Sequence, residues 1–382
     1  MNLDLTAEQK LLRDEIARFA RGELSQGARE RDRDQEFPRE LWNKCGEMKL
    51  QGLPVDEEHG GAGLDALDTA IALEALGYGC EDGGLVFAVC AHLLACVVPI
   101  WKHGSEEQKR RWLPALCDGS TIAVNGMTEP DSGSDAFGGM ATRAERAGDG
   151  WILNGAKTFS SNGPVADLAL VYAVTDRDKG FGGITAFVVE KDAGGFRAGQ
   201  KFEKMGLRSC PIGELVLEDV RVGDDAVLGG VGAGATVFSQ SMDWERACLG
   251  ATHVGTMQRL LEGAVAHART RRSGGQPIGK HQAVSHKIAD MKVRLEASRL
   301  LTYQAAWRLE RTRAAAIDAS IAKLHVSDSL VESAHDAVQI LGGYGFLVEQ
   351  GLERTLRDSV ASTIYSGTNE MQRNIIARWL GL

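Results

Sequence analysis

The sequence predicts an α+β protein in which a helical domain is followed by a β domain and then by a second helical domain. Two observations carry this prediction. Apolar residues repeat at helical spacing in the first and last thirds of the chain, and short runs of branched residues separated by glycine fill the middle. The 382 residues give room for two or three domains. Helices and strands do not alternate, so a doubly wound parallel sheet is not expected.

The first region, residues 1–121, is predicted to be helical. Thr6 and Gln9 have the spacing of a capping box, and Ser105 and Gln108 repeat it before a later helix. Two apolar stretches that end in glycine, "DALDTAIALEALGYG" and "LVFAVCAHLLACVVPIWKHG", are typical of helices packed in a core.

The second region, residues 122–232, is predicted to consist of strands. Branched residues dominate "DLALVYAVTD", "ITAFVVEKD" and "GELVLEDVRV". Within "WILNGAKTFSS", the pair Asn154-Gly155 is a strong signal for a two-residue hairpin turn. We therefore expect two short strands that meet at this pair.

The third region, residues 233–382, is predicted to be a helical bundle. Its long periodic segments are residues 234–271, 281–310 and 315–341. The stretch "GGVGAGA" before them lacks the G-x-G-x-x-G spacing of a nucleotide-binding loop, and no βαβ unit surrounds it. We interpret it as the flexible link between the β domain and the bundle.

Composition and charge restrict the classes of function. The net charge of −9 argues against a nucleic-acid partner, and the one dense basic cluster, Arg269 to Arg272, suits a single phosphate group. The N-terminus lacks the pattern of a signal peptide, and no uninterrupted apolar stretch approaches about 18 residues, so we expect no membrane span and a cytoplasmic location. The seven cysteines form no C-x-x-C pair, so we expect reduced, mostly buried thiols and no metal site.

Five stretches in order resemble the acyl-CoA dehydrogenase family of flavoenzymes across essentially the whole chain. They are "MTEPDSGSD" (127–135), "KTFSSNGPVADL" (157–168), "RRSGGQPIGKHQ" (271–282), "QILGGYGF" (339–346) and "IYSGTNEMQR" (364–373). The resemblance implies a helical domain, a middle β-barrel and a C-terminal four-helix-type bundle. It also implies FAD, a homotetramer, and α,β-dehydrogenation of a thioester.

In the middle domain, the resemblance assigns several residues to FAD. Met127 and Thr128 match the segment at the pyrimidine edge of the flavin, where a hydroxyl and a backbone N–H hold ring oxygens. Ser134 matches a serine near the phosphates and the substrate arm. Phe159 takes the place of an aromatic residue against the flavin, and Ser161 that of the hydroxyl that bonds flavin N5.

In the bundle, the resemblance implies contacts with an FAD that is bound mainly by a neighbouring subunit. The residues assigned to these contacts are Arg272, Gln282, Gln339, Gly342 and Gly343. Gly274 departs from the family, which usually has phenylalanine there. Thr368 and Glu370 match flavin contacts at the start of the last helix, whose N-terminus favours negative charge.

Ser366 is the second departure, and it bears on catalysis. Dehydrogenation of a thioester needs a base for the α proton, and most of the family places a carboxylate in the motif "YEGT". This chain has Tyr365-Ser366-Gly367-Thr368 there, and the serine has no neighbouring histidine in sequence to activate it. The resemblance leaves Ser366 a role as oxyanion donor through its backbone N–H and makes Gly367 a substrate contact.

Glu245 is the candidate replacement for the missing carboxylate. A minority of the family, the isovaleryl- and long-chain-type dehydrogenases, carry their base at the position that Glu245 matches and also lack the acid in the terminal loop. We therefore predict Glu245 as the general base, with Asp243 as its nearest competitor. Ser134, Asp243 and Arg246 are predicted to contact the substrate.

The substrate is less well defined by the sequence. Stretches such as "SSNGPVADLALVYAVTD" and "MGLRSCPIGEL" are similar to a subgroup that desaturates a prolyl group on a peptidyl carrier protein, so we favour a carrier-bound aminoacyl thioester. A short- or branched-chain acyl-CoA dehydrogenase remains an alternative, as do a flavin oxidase or monooxygenase on the same fold and a catalytically silent scaffold. The electron acceptor is expected to be an electron-transfer flavoprotein or oxygen.

Overall fold

The computed structural model describes residues 4–312 and 315–382. Helices form the N-terminal region, and the capping boxes predicted at Thr6 and Ser105 are present at the starts of the first and last of them. The helices are α1 (Ala7–Phe19), α2 (Ala28–Asp34), α3 (Arg39–Glu47), α4 (Ala66–Gly79), α5 (Gly83–His92), α6 (Val98–His103) and α7 (Glu106–Cys117).

A π-helical turn, Leu93–Val97, joins α5 to α6. Such a turn frees carbonyl groups from the helical ladder, and they need other donors. The hydroxyl of Ser241 donates to Leu94 O at 3.1 Å, and the amide of Asn125 donates to Ala95 O at 3.2 Å. The turn is thereby fixed to the middle region through Asn125 and to the C-terminal region through Ser241.

The segment Gly83–His103 is long and apolar enough to cross a membrane by length and composition. Most of its residues are buried inside the protein, as in a core helix. The sequence criterion of about 18 uninterrupted apolar residues is not met here because His92 interrupts the apolar run, although the mean hydropathy of the segment is high.

The middle region contains the strands β1 (Ala123–Gly126), β2 (Arg143–Ala147), β3 (Gly150–Ser161), β4 (Leu168–Val174), β5 (Ile184–Glu190), β6 (Phe196–Lys201), β7 (Ile212–Gly223) and β8 (Val227–Leu228). They form a mixed sheet with strand order β6-β7-β3-β2-β4-β5-β8, and β1 lies parallel to β4. Apolar side chains from one face share a common interior, which corresponds to the barrel of the predicted fold.

The hairpin turn predicted at Asn154-Gly155 was wrong. Both residues lie inside β3, and the register with β7 shifts between Leu153 and Gly155, which marks a bulge. Gly155 has φ of +153°, and a Cβ there would lie 2.4 Å from Thr142 Oγ1. The Asn154 side chain pairs with Asp219 on β7, since its Oδ1 accepts from the Asp219 N–H at 2.9 Å. Cross-strand pairing therefore overrides the local turn preference.

The C-terminal region is the predicted bundle, with a short hairpin between its second and third helices. Its helices are α8 (Gly234–Cys248), α9 (Gly250–Thr270), α10 (Gln282–Leu309), α11 (Ala315–Leu341), α12 (Leu352–Ala361) and α13 (Asn369–Trp379), and the hairpin strands are β9 (Arg272–Ser273) and β10 (Gln276–Pro277). The periodic segment predicted over 234–271 is interrupted at Leu249, where α8 ends and α9 begins.

The two helical regions pack closely against each other through α4 and α9. A Cβ at Gly77 would lie 2.1 Å from Thr252 O, and one at Gly255 would lie 2.1 Å from Glu74 O. Only glycine allows the two backbones to approach this far. This contact fixes the start of α9, which lies beside the candidate site.

Candidate active site

Glu245 lies on α8 and is buried, with 8% of its surface exposed. Its Oε1 accepts a hydrogen bond from the hydroxyl of Ser366. Burial raises the pKa of Glu245 above its ordinary value, although Ser366, Arg246 and Lys323 all favour the ionised form. A buried carboxylate of this kind suits proton abstraction near neutral pH.

The backbone at Ser366 is held in an unusual conformation. Its φ is +58°, in the left-handed region that few residues other than glycine adopt. Its carbonyl accepts hydrogen bonds from Arg246 Nε at 2.9 Å and from Gln372 Nε2 at 3.1 Å. Within residues 4–312 and 315–382, the Ser366 N–H has no acceptor. It is therefore a fixed and unpaired donor beside the carboxylate of Glu245.

The start of α13 is fixed by a buried polar network. Thr368 caps the helix by accepting from Met371 N at 3.3 Å. The next residue, Asn369, accepts from Lys323 Nζ at 2.7 Å and donates to Asp328 Oδ1 at 2.7 Å. Burial lowers the pKa of Lys323 to about 8. The network holds the Ser366 loop and places a positive charge near Glu245.

Of the predicted substrate contacts, Arg246 and Gly367 lie at this loop, whereas Asp243 lies about one helical turn before Arg246 on α8. Gly367 has φ of +81°, and its carbonyl accepts from Gln372 Nε2 at 2.8 Å. Asp243 is partly buried, and burial raises its pKa. Arg246 is committed to the Ser366 carbonyl, so its side chain orders the loop.

In the middle domain, the "TEP" and "KTF" segments meet. Thr158 N donates to Thr128 O at 2.8 Å. Beneath them, Lys157 Nζ donates to Glu129 Oε1 at 2.8 Å and to the Met127 carbonyl at 3.3 Å. Burial opposes ionisation of Glu129, yet the ion pair with Lys157 holds the pKa of Glu129 below its ordinary value.

The flavin contacts predicted in this domain differ in exposure: Met127 is buried, Thr128 and Ser161 are half-buried, and Phe159 is exposed. Phe159 is 63% exposed and has φ of +52°, at a bulge in β3. The hydroxyls of Thr128 and Ser161 have no hydrogen-bond partner within the described part of the chain, and Ser134 lies exposed in the following loop. An open aromatic face beside unpaired hydroxyls fits an isoalloxazine ring.

The remaining predicted FAD contacts lie at the other end of the bundle. α9 has 21 residues, so it carries the chain about 30 Å from the Glu245 end to the β9–β10 hairpin. In α11, Gln339 lies about 24 Å beyond Lys323. These contacts are all exposed: Arg272, Gln282, Gln339, Gly342 and Gly343. These contacts thus form a group that is remote from Glu245, and the predicted contact Glu370 is exposed in the first turn of α13.

Gly274 suits the tight turn in which the structure places it. Ser273 pairs with Gln276 across a two-residue loop, in which Gly274 has φ of +59° and Gly275 has φ of +82°. Positive φ at both positions defines the tight I′ turn, which disfavours a bulky side chain. The hairpin positions Arg272, whose Nη2 donates to Gly275 O at 2.5 Å.

Sequence reasoning missed several polar residues of the site. Tyr365 OH and His253 Nε2 lie 2.6 Å apart, and Lys323, Gln372 and Lys157 hold the neighbouring segments. His253 and Lys323 sit on apolar helical patterns, where a polar residue at a core position is a usable signal. All seven cysteines are free and buried, as expected.

Comparison with known proteins agrees with this geometry. Three sequence profiles match the chain: Acyl-CoA dehydrogenase, N-terminal domain, over residues 6–120; the middle domain over residues 125–220; and the C-terminal domain over residues 232–381. The domain limits predicted from the sequence remain predictions.

Similar individual proteins are also known. An L-prolyl-[peptidyl-carrier protein] dehydrogenase of Pseudomonas fluorescens (strain Pf-5) is 46% identical over 347 residues, which is 91% of each chain. The solved structure of PigA with FAD and proline is 42% identical, with a TM-score of 0.98 over 100% of both chains. The structure of the prolyl acyl carrier protein oxidase AnaB is 42% identical, with a TM-score of 0.97 over 99% of this chain and 100% of that one.

Proposed function

The chain belongs to the acyl-CoA dehydrogenase family and is an FAD-dependent oxidoreductase; from this premise we propose that it dehydrogenates a prolyl-type aminoacyl thioester on a carrier protein. The observation that carries the proposal is the contact between Glu245 and Ser366, which joins a buried carboxylate to the loop where most of the family has its base.

Glu245 acts as the general base in this proposal. Its raised pKa makes it a stronger proton acceptor than an exposed glutamate, and its burial keeps water from competing for it. The proton leaves the α carbon for the Glu245 carboxylate. Asp243 lacks a comparable link to the Ser366 loop and is the weaker candidate.

The Ser366 backbone N–H stabilises the thioester oxygen. Removal of the α proton moves negative charge onto that oxygen, and a fixed donor lowers the cost of this charge. Arg246 and Gln372 hold the adjacent carbonyl, so the loop needs no reordering when charge develops. The Ser366 hydroxyl is already used by Glu245 and has a positioning role.

The chemistry that bound FAD would supply here is acceptance of the hydride from the β carbon. Thr128, Phe159 and Ser161 offer the donors and the aromatic face that would hold the ring. Met127 is fixed from below by Lys157, and Thr368 is fixed as the cap of α13. The product is an α,β-unsaturated thioester, and an acceptor must then remove two electrons.

The assembly and the cell compartment belong to the same proposal. We propose a homotetramer, in which Arg272, Gln282 and the Gln339–Gly343 segment of one subunit contact the FAD of another. Their distance along the bundle from Glu245 supports this arrangement. We propose a cytoplasmic location.

Two features of the proposal remain to be chosen by experiment. The alternative substrate is a short- or branched-chain acyl-CoA, since similar proteins are named short-chain specific acyl-CoA dehydrogenases. The acceptor could be an electron-transfer flavoprotein or oxygen, since similar proteins are named both dehydrogenases and an oxidase.

Anaerobic mixing tests the substrate directly. The FAD-loaded protein is mixed with prolyl-carrier protein, with prolyl- and butyryl-pantetheine and with butyryl-CoA, and flavin absorbance is followed. We expect the fastest bleaching with prolyl-carrier protein. Faster bleaching with butyryl-CoA would favour the acyl-CoA alternative. Air is then admitted. Rapid recovery of the flavin absorbance would identify oxygen as the acceptor, and slow recovery would favour an electron-transfer flavoprotein.

A further inference from the structure

Two cavities meet beside Glu245 and share three lining residues. The catalytic cavity is lined by Glu245, Ser366 and Lys323 together with the shared residues Leu249, His253 and Tyr365. The distal cavity lies on the other side of the shared residues. Its further lining includes Val86, Phe87, Leu330, Arg259 and Asp358. A side chain at the shared boundary therefore decides whether the two cavities are continuous.

The boundary is closed by a hydrogen-bonded pair. Tyr365 OH and His253 Nε2 are 2.6 Å apart, and the ring of Tyr365 stacks on Phe87 with centroids 4.7 Å apart. Phe87 lines the distal cavity, so the stack closes the boundary from that side. Tyr365 directly precedes Ser366, which places the closure next to the loop that holds the thioester.

Neighbouring groups orient the pair. The Thr252 hydroxyl donates to Leu249 O at 2.8 Å, so its oxygen is left to accept from His253 Nδ1, 3.3 Å away. This arrangement puts the proton of His253 on Nδ1 and leaves Nε2 to accept from Tyr365 O–H. The imidazole is thus neutral and fixed on both sides, and the Tyr365 ring cannot swing without breaking a partly buried hydrogen bond.

We propose that the pair His253–Tyr365 is the specificity-determining end wall of the acyl site and restricts the enzyme to short or compact acyl groups. The inference deepens the proposed function, on which it rests, because a five-membered aminoacyl ring is compact. A longer acyl chain must pass the pair to enter the distal cavity, whose apolar lining of Val86, Phe87 and Leu330 would then receive it.

The closed boundary between the two cavities sets how strongly the protein should prefer short acyl chains over long ones. One methylene group accepted or rejected by an apolar pocket changes discrimination by about 10- to 200-fold. A chain that extends four carbons beyond the wall should therefore be disfavoured by at least about tenfold in the native protein. A substitution that opens the boundary between the two cavities should remove most of this preference for short chains.

The test measures binding of thioesters that cannot be oxidised. Pantetheine thioesters with sulfur in place of the β carbon have no β hydride to lose. Calorimetry with the FAD-loaded protein gives Kd for analogues of four and eight chain atoms. We expect the native protein to bind the short analogue at least about tenfold more tightly. His253→Ala should bring the ratio of the two Kd values to within about threefold, since it joins the cavities.

Two matched variants keep the result interpretable. His253→Gln retains a polar side chain that can accept from Tyr365, so it should keep the native ratio. Tyr365→Phe keeps the ring and removes the hydrogen bond, so it should relax the ratio partly, even if His253→Ala does not fold. Equal binding of both analogues by the native protein would overturn the inference. So would an unchanged ratio in folded His253→Ala, or in Tyr365→Phe where His253→Ala does not fold.

The proposed function and this inference fail in different ways. If the native protein discriminates between the analogues but its flavin is not bleached by prolyl-carrier protein, the end wall is supported and the proposed aminoacyl substrate is wrong. If prolyl-carrier protein bleaches the flavin but the native protein binds both analogues equally, the proposed function is supported and the end wall is wrong.

Discussion

The hydroxyl of Ser366 donates a hydrogen bond to Oε1 of Glu245 and so joins the loop before α13 to the first helix of the bundle. The two residues are 121 positions apart in the chain. Each departs from the commonest family pattern, and the contact shows that the departures meet in one place. A carboxylate from α8 occupies the region where the terminal loop would otherwise supply one.

Ser366→Ala is expected to shift the pH dependence of flavin reduction. The substitution keeps the backbone N–H and removes the hydrogen bond that favours ionised Glu245, so the pKa of Glu245 should rise further. The base is active only above its pKa, so the acid limb of the rate should move to higher pH. Stopped-flow reduction between pH 5 and 9 measures this, and the plateau rate should fall by less than about tenfold. An unmoved acid limb would show that the hydroxyl does not act on Glu245.

Lys323→Met is expected to move the acid limb in the same direction. The ammonium favours ionised Glu245, and losing it raises the pKa of that carboxyl. The difference from native protein should be largest below pH 8, because burial lowers the pKa of Lys323 to about 8 and the native charge is lost above that. Lys323→Arg keeps the charge and is the matched control. Equal acid limbs in the two variants would exclude the electrostatic effect.

Lys157→Met is expected to destabilise the middle domain strongly. It leaves Glu129 buried without its cation, which costs about 3–5 kcal/mol. Lys191→Met removes a cation that is 63% exposed from its pair with Asp167 and should cost less than about 1 kcal/mol. Urea unfolding followed by tryptophan fluorescence compares the two. Similar midpoints for both variants would show that the buried pair contributes little.

Arg272→Ala is expected to weaken FAD retention. A charge-assisted bond to the pyrophosphate is worth about 1.5–3 kcal/mol, so affinity should fall by about 10- to 150-fold. Arg269→Ala, at the exposed end of α9, is the matched control and should retain FAD. Flavin absorbance after dialysis measures retention, and sedimentation of the same samples measures assembly. A native monomer that retains FAD fully would contradict the neighbouring-subunit contact.

The order of the domains was predictable because each region has a strong periodic pattern or a strong strand composition. The capping boxes at Thr6 and Ser105 were predictable because they depend on residues three positions apart. The bulge at Asn154-Gly155 was not, because its cause is a pairing with Asp219 on another strand. Local preference and tertiary contact compete at such positions, and sequence shows only the first.

The residues of the candidate site were likewise predictable only where a local sequence pattern marks them. Glu245 and Ser366 were predictable because both break a recognisable pattern. The pair His253–Tyr365 was not, since its members are 112 positions apart and neither belongs to a motif as a pair. The I′ turn at Gly274 required the backbone angles of the hairpin.

The central claim is that Glu245 removes the α proton, and one measurement tests it most directly. Glu245→Gln keeps the size and the hydrogen-bond acceptor for Ser366 but removes the basic carboxylate. The variant should retain FAD and bind the non-oxidisable short thioester with native affinity, while the anaerobic rate of flavin reduction by prolyl-carrier protein falls by at least about 10²-fold. Reduction at a rate within about tenfold of native would contradict the claim.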